Sequence, residues 1–214
     1  MKNLLFIVLF LFSIQGIAQD SSTKKNEIGI NIFSIVDANA TSSWLNANGI
    51  DFEPNYQFAT GITYKHHWGN HSIRAAADYY YEHVYYKELY TVEDSFFKLD
   101  TRFGYQKVFG NWKFKPFVAV DAVFGMVRTY QKWMDINPIG QSFGSSESTS
   151  ISYQLGFAPT VGFQYQFTPF LSATIEASIN AGGYLYRDVY GKLEGGGDFY
   201  FYHPIRLLSI NYHF

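Results

Sequence analysis

The sequence contains no cysteine. That excludes disulfide scaffolds, thiolate-held metals and lipid attachment at a cysteine. Charge is scarce and balanced: charged residues make up 16% of the chain and the formal net charge is −2, so the basic footprint of a nucleic-acid binder is missing. Long hydrophobic runs are missing too once the first residues are passed. Nothing beyond Gln19 offers the roughly 20 consecutive apolar residues of a transmembrane helix. No motif of catalysis, metal binding or nucleotide binding stands out, and no catalytic, cofactor-binding or metal-ligating residue is assigned.

What is abundant is aromatic. The chain carries 21 Phe and 18 Tyr, more than a soluble domain needs. It opens with Lys2, an apolar stretch from Leu4 to Phe12, and small residues at Gly16 and Ala18. This order reads as a signal peptide over residues 1–18, cut after Ala18. The apolar run is too short for a membrane anchor. The expected mature chain, 19–214, suits one domain.

Period two dominates that domain. Phe97, Leu99, Thr101, Phe103 and Tyr105 alternate with Lys98, Asp100, Arg102 and Gly104. Leu171, Ala173, Ile175, Ala177, Ile179 and Ala181 alternate with Ser172, Thr174, Glu176, Ser178 and Asn180. The run Tyr153–Phe167 repeats the pattern, and helical spacing fits none of the three. Strands are predicted near Glu27–Val36, Tyr56–Trp68, Ser72–Tyr86, Phe96–Phe109, Lys113–Tyr130, Ile151–Phe167, Leu171–Arg187 and Pro204–Phe214. Each is long enough to cross a membrane as a tilted strand of roughly 9–11 residues.

The connections alternate in length. Gly69-Asn70, Gly110-Asn111 and Thr168-Pro169 have the chemistry of tight turns. Asp37–Asn55, Lys87–Ser95, Trp133–Ser150 and Asp188–His203 read as longer polar loops. Short turns on one side and long loops on the other define an all-β, eight-stranded antiparallel up-and-down transmembrane β-barrel, with the short turns periplasmic. Aromatics gather at both heights: Trp68, Phe109, Trp112, Phe114, Phe170 and Tyr212 near the short turns, and Tyr79, Tyr81, Tyr85, Tyr130, Trp133, Tyr184 and Tyr186 toward the loops. Amphipathic rings favour the two membrane interfaces.

The last strand carries Leu208, Ile210, Tyr212 and Phe214 on one face and stops on an aromatic. This ending resembles the C-terminal targeting signal that barrel assembly machinery reads in bacterial outer-membrane proteins. The whole mature chain resembles small eight-stranded outer-membrane barrels, the OmpX-like proteins and OmpA membrane domains. The Gln after the cleavage site and the Tyr- and Asn-rich style look like members from Bacteroidetes. The resemblance implies location in the cell outer membrane and roles in adhesion, envelope integrity or surface interaction. It implies contact with outer-membrane lipid and lipopolysaccharide, and a possible extracellular ligand at the loops. The peptidoglycan-binding function of OmpA is not carried over.

Alternation sends Lys65, Arg74, Asp78, Glu82, Lys98, Asp100, Arg102, Asp121 and Glu176 inward. Asp78 with Arg102 and Glu82 with Lys98 have equal index sums, so a hairpin centred near Tyr90 sets both pairs opposite each other. An eight-stranded barrel is just wide enough to be filled by side chains, and charges buried there must be paired. The expectation is a salt-bridged plug; a proton or ion path and a catalytic carboxylate pair are the competing readings.

The histidines read as surface residues. His66 and His67 are adjacent and fall on opposite faces, His83 falls on the lipid-facing set, and His71, His203 and His213 sit near strand ends. Ser209 and His213 share an inward face but lie too far apart for contact, so no nucleophile–base pair of a lipid-modifying enzyme emerges. Glu194 to Asp198 brings carboxylates and glycines together without EF-hand spacing and reads, like Gly140–Ser150, as a mobile surface loop. The leading function is a structural or surface-interaction barrel and not an enzyme. A narrow pore for small solutes or ions is the alternative, a lipid-modifying enzyme comes third, and no cofactor is expected. A soluble ligand-carrying barrel is disfavoured, because a cup lined with charge holds no apolar ligand.

The signal pattern predicts a mature protein that begins at Gln19 and sediments with the outer membrane. N-terminal sequencing of fractionated cells checks both, and recovery in the soluble periplasm contradicts the barrel's membrane placement.

Overall fold

The computed structural model describes residues 24–34, 60–87, 90–110, 113–136, 142–187 and 193–214. The expected signal segment, the connection Asp37–Asn55 and the aromatic Trp112 lie outside the described residues, as do the side chains of Tyr85, Trp133 and Tyr186. Eight strands follow in order: β1 (Asn26–Ser34), β2 (Thr60–Trp68), β3 (His71–Lys87), β4 (Tyr90–Val108), β5 (Phe114–Ile136), β6 (Ser142–Thr168), β7 (Leu171–Arg187) and β8 (Leu193–His213). Each pairs antiparallel with the next, and β8 returns to β1, so the sheet closes into a barrel. Closure leaves no unpaired edge over the lengths of β1 and β2; among the described residues Tyr80–Lys87 of β3 and Leu193–His203 of β8 pair on one side only.

The Gly69-Asn70 and Thr168-Pro169 turns are as expected, while Asn111 lies outside the described residues. Gly69 and Gly110 have φ of 61° and 77°, a left-handed backbone that glycine adopts without a Cβ penalty. Between β6 and β7, the Thr168 hydroxyl accepts hydrogen bonds from the Phe170 and Leu171 amides at 3.2 and 3.0 Å. That hydroxyl satisfies the turn that Pro169 cannot serve as donor.

The long connections differ from the sequence reading. Much of Lys87–Ser95, Trp133–Ser150 and Asp188–His203 is strand. The β5–β6 ladder continues through Lys132↔Glu147 and Met134↔Ser145 to Ile136↔Ser142. Glu194, Gly195 and Asp198, read as a loop, pair with Tyr186, Leu185 and Gly183 on β7. The physical reason is that β5 and β6 span 23 and 27 residues, about twice what a tilted membrane crossing takes. Beyond the apolar band both faces of the ribbon meet water. Ser145 to Ser150 are all exposed, so apolar alternation vanishes while the backbone ladder persists.

The two barrel faces have opposite chemistry. Ile62, Phe103, Val120, Phe157 and Val161 stand outward with 57–66% of their surface exposed. The inward positions of most strands are polar: Thr63 and Lys65 on β2, Lys98 to Gln106 on β4, and Ser172 to Asn180 on β7 are buried. An apolar belt running round the whole barrel far exceeds the few hundred Å² that a soluble monomer shows. Among the described residues no helix is long and apolar enough to cross a membrane. β5 departs from strict alternation, with Phe117, Ala119, Val123 and Val127 buried on its inner face.

The seam between first and last strands completes the barrel. The Asn26 amide donates to the Phe214 carbonyl at 3.0 Å and the Phe214 amide donates back at 2.9 Å, while the Phe214 ring stacks against Tyr212 at 6.2 Å between centroids. Deleting Phe214 removes both hydrogen bonds and the ring contact from the closing pair. The expected outcome is a slower approach to the folded band on heat-modifiable gels than the wild-type barrel shows. Equal folding rates remove the terminal aromatic from the closure.

Candidate functional site

Nine side chains expected inward are placed inward; eight of them are buried, and Glu82, nearer the long-connection end, is half-buried. The register between β3 and β4 differs from the expected one. The hairpin is centred one residue earlier, so Asp78 faces Asp100, and Glu82 faces Phe96. The shift moves each pairing by two positions and therefore leaves every side chain on its expected face. Two carboxylates set across one ladder repel, and each is met by its own guanidinium. Arg102 Nε donates to Asp100 Oδ1 at 3.0 Å, and Arg206 Nη2 donates to Asp78 Oδ2 at 3.1 Å.

Arg206 was invisible to the alternation. Counting back from Leu208 and Ile210 puts it on the lipid face, yet it is 1% exposed and inward. Three residues of β8, Pro204 to Arg206, stand opposite Ala177 alone, because Glu176 pairs with Leu207 and Ser178 with His203. This bulge rotates Arg206 into the lumen. The available signal was Pro204, since proline inside a strand marks a bulge or an edge.

Arg74 is the centre of the network. Its Nε and Nη2 donate to the two oxygens of Asp121, both at 2.8 Å. Its Nη1 and Nη2 donate to the two oxygens of Glu176 at 2.8 and 3.0 Å. One guanidinium thus holds two carboxylates in bidentate geometry. Arg206 Nη1 donates to Glu176 at 2.9 Å, which joins the Arg74 group to Asp78. Asn31 Nδ2 donates to the remaining Asp78 oxygen at 2.5 Å, and Thr63 donates to Asn31 at 3.0 Å. Among the described residues the buried charges are five carboxylates (Glu27, Asp78, Asp100, Asp121, Glu176) and five cations (Lys65, Arg74, Lys98, Arg102, Arg206). The buried charges of the two signs are equal in number.

Two glycines make room for this. Gly61 stands opposite Asp78 and Gly104 opposite Asp121. A Cβ on either would lie 2.1 or 2.2 Å from the partner carboxylate oxygen and 2.4 or 2.3 Å from a backbone carbonyl. The carboxylates lie flat across the ladder because these positions carry no side chain.

A second cluster lies at the short-turn end. The Glu27 carboxylate meets Lys65 Nζ at 2.9 Å, His67 Nε2 at 3.0 Å and Gln164 Nε2 at 2.9 Å. His213 Nδ1 stands 3.7 Å from the same carboxylate, and its Nε2 is 2.8 Å from Ser172 Oγ. Sequence reasoning sought partners for His213 on its own strand, at Ser209. The partner serine is on the neighbouring strand, and Ser209 instead donates to Asn211 at 2.9 Å. His66 and His67 do diverge: His66 bonds Asn26 at 2.8 Å. His71 meets the Tyr105 hydroxyl, and exposed His83 lies 3.8 Å from Glu93. The side chain of His203 lies outside the described residues.

No family model matches the chain, and no curated protein does. Among solved structures the chain is similar to Ail, the attachment invasion locus protein of Yersinia pestis, alone and in complex with the heparin analogue sucrose octasulfate. That likeness has 14% identity and a TM-score of 0.37, covering 89% of this chain and 97% of that one. A major outer membrane protein from Thermus thermophilus is similar at 12% identity and a TM-score of 0.41, over 89% of this chain and 98% of that one.

Arg74 and Arg102 differ in what they leave behind when removed. Arg74→Met takes the forked cation from Asp121 and weakens the hold on Glu176, whereas Arg102→Met takes its cation from Asp100 and one donor from Asn180, which still accepts from Ser178. Urea unfolding is expected to show a loss of about 3–5 kcal/mol for Arg74→Met and a smaller one for Arg102→Met. Equal losses would mean that the doubly forked arginine is not the centre of the network.

Proposed function

We propose that this chain is an outer-membrane β-barrel with a structural or surface-interaction role, in adhesion or envelope integrity, and a charge-plugged lumen. The observation that carries the reading is the balanced, cross-linked interior inside an apolar exterior. In an eight-stranded barrel the lumen is narrow, and here Arg74 and Arg206 reach from β3 and β8 to acids on β5, β7 and β3, while Arg102 holds Asp100 on its own strand. A path for solutes would need those bridges opened, at the cost of leaving buried charge alone.

The proposed surroundings follow from the faces. Outer-membrane lipid and lipopolysaccharide contact the apolar belt. The barrel assembly machinery engages the C-terminal strand through Leu208, Ile210 and Phe214. An extracellular ligand would meet the long-connection end, where the β5–β6 ribbon and exposed Tyr79 and Tyr81 offer contact area with polar tips. The affiliation with OmpX-like proteins and OmpA membrane domains, in the Bacteroidetes style, rests on the sequence pattern. The reading assigns no catalytic step and no cofactor to the chain.

Planar-bilayer recording of the refolded barrel tests the plug. Wild type is expected to give no steady conductance, while Arg74→Ala, which leaves Asp121 without its fork and draws water in, is expected to give openings. Steady conductance of the wild type instead puts the narrow pore first.

A further inference from the structure

We propose that the short-turn mouth of the barrel binds one divalent transition-metal ion of the zinc type through Glu27, His67 and His213. The three residues come from β1, β2 and β8: pairing of β1 with β2 brings Glu27 to His67, and barrel closure adds His213. One ligand atom from each lies within 4.8 Å of the others. Glu27 Oε2 stands 3.0 Å from His67 Nε2 and 3.7 Å from His213 Nδ1. In a tetrahedral zinc site with bonds of about 2.0–2.1 Å, ligand atoms stand about 3.3–3.4 Å apart. The two observed separations bracket that spacing and the third is within 4.8 Å, so adjustment of the side chains is what bringing all three onto one ion requires. Two imidazoles and one carboxylate form a common donor set for zinc with water in the fourth position.

The groups behind the ligands fit the same reading. A metal-bound histidine uses its second ring nitrogen to hold a polar partner that fixes the ring. His213 does so, with Nε2 at 2.8 Å from Ser172 Oγ while Nδ1 faces the carboxylate. Ser172 is fully buried and is itself held by Gln164 Nε2 at 2.9 Å and Asn211 Nδ2 at 3.3 Å. The other Glu27 oxygen is ion-paired with Lys65 at 2.9 Å, and Oε2 accepts from Gln164 Nε2 at 2.9 Å while facing the two imidazoles. Entry is from the mouth, where the His67 side chain is 18% exposed.

A serine–histidine–carboxylate hydrolytic site is the other arrangement these atoms suggest. It fails on two counts. Ser172 is 0% exposed, so no acyl group reaches its hydroxyl, and the 3.7 Å gap between His213 and Glu27 is too long for an orienting hydrogen bond.

The test uses the full barrel folded in detergent and stripped with chelator, with Co²⁺ as the spectroscopic probe and Zn²⁺ as competitor. Expected are saturation at one equivalent of Co²⁺, the intense visible absorption of a tetrahedral complex, and its loss on adding one equivalent of Zn²⁺. His67→Ala and His213→Ala are expected to weaken binding about tenfold or more. His66→Ala, one residue away on the opposite face, is expected to leave affinity within about twofold. Heat-modifiable mobility shows whether each variant is folded. Where one is not, stoichiometry and the wild-type Co²⁺ spectrum decide. Absence of saturable binding, a weak octahedral spectrum, or equal weakening by His66→Ala overturns the site and leaves the three residues as a hydrogen-bonded closure of the mouth.

Discussion

An apolar exterior and a narrow polar lumen impose one condition: an inward polar group finds its partner across the lumen or along the ladder. Backbone groups meet it by pairing along the ladder, and the central charged side chains meet it by bridging the lumen. The two are coupled, because a guanidinium on one strand reaches its carboxylate only if the register of every intervening strand is right. Arg74 on β3 holds Asp121 on β5 and Glu176 on β7, and Arg206 on β8 continues to Asp78 on β3. These bridges cross the ring where the ladder only runs round it. A two-residue slip between any two strands keeps the apolar face outward, so hydrophobic burial cannot reject it. The charged bridges can, since each slip parts carboxylate from cation at a cost of several kcal/mol.

Strand number, face and short turns were legible in the sequence because each depends on local pattern. Alternation from Leu171 to Ala181 is a property of consecutive residues, and so is the turn chemistry at Gly69-Asn70. Three things were not legible, for different reasons. The outer halves of β5 and β6 carry no alternation, since water bathes both faces from Ser145 to Ser150, and only backbone pairing with β5 makes them strand. Matching opposite charges directly across the β3–β4 hairpin favours a centre one residue later than the observed one, which sets Asp78 opposite Asp100. The barrel satisfies Asp78 from β8 instead, by a route that no hairpin argument contains. Arg206 was hidden by a bulge.

The histidine cluster shows the same limit more sharply. Glu27 and His213 sit near opposite ends of the chain, and His67 follows β1 on the next strand. Nothing in the spacing of the three predicts a meeting. They meet because β8 closes on β1 in a register that pairs Glu27 with His213 directly, while Glu27 faces Lys65 on the other side. In a barrel the first and last strands are neighbours, so residues at the two ends of the chain are the ones most readily brought together and most easily overlooked.

The two polar clusters have different tolerance for added charge, and Lys65 is the reason they stay distinct. It pairs with Glu27 at the mouth and stands across the ladder from Arg74 at the core. In the core, cations and carboxylates already balance, and an extra dication there would face Arg74, Arg102 and Arg206 in a low-dielectric space, where repulsion is strong. At the mouth, the donors are one carboxylate and two imidazoles that are neutral when unprotonated, and water reaches His67. A cation placed there is partly hydrated and separated from the arginines by the Lys65–Glu27 pair. Lys65 opposes such an ion by its own charge, yet without it Glu27 would be a buried carboxylate with no cation beside it and the mouth would lose its fixed ligand. The residue that limits affinity at the mouth is therefore also the one that makes the carboxylate available there.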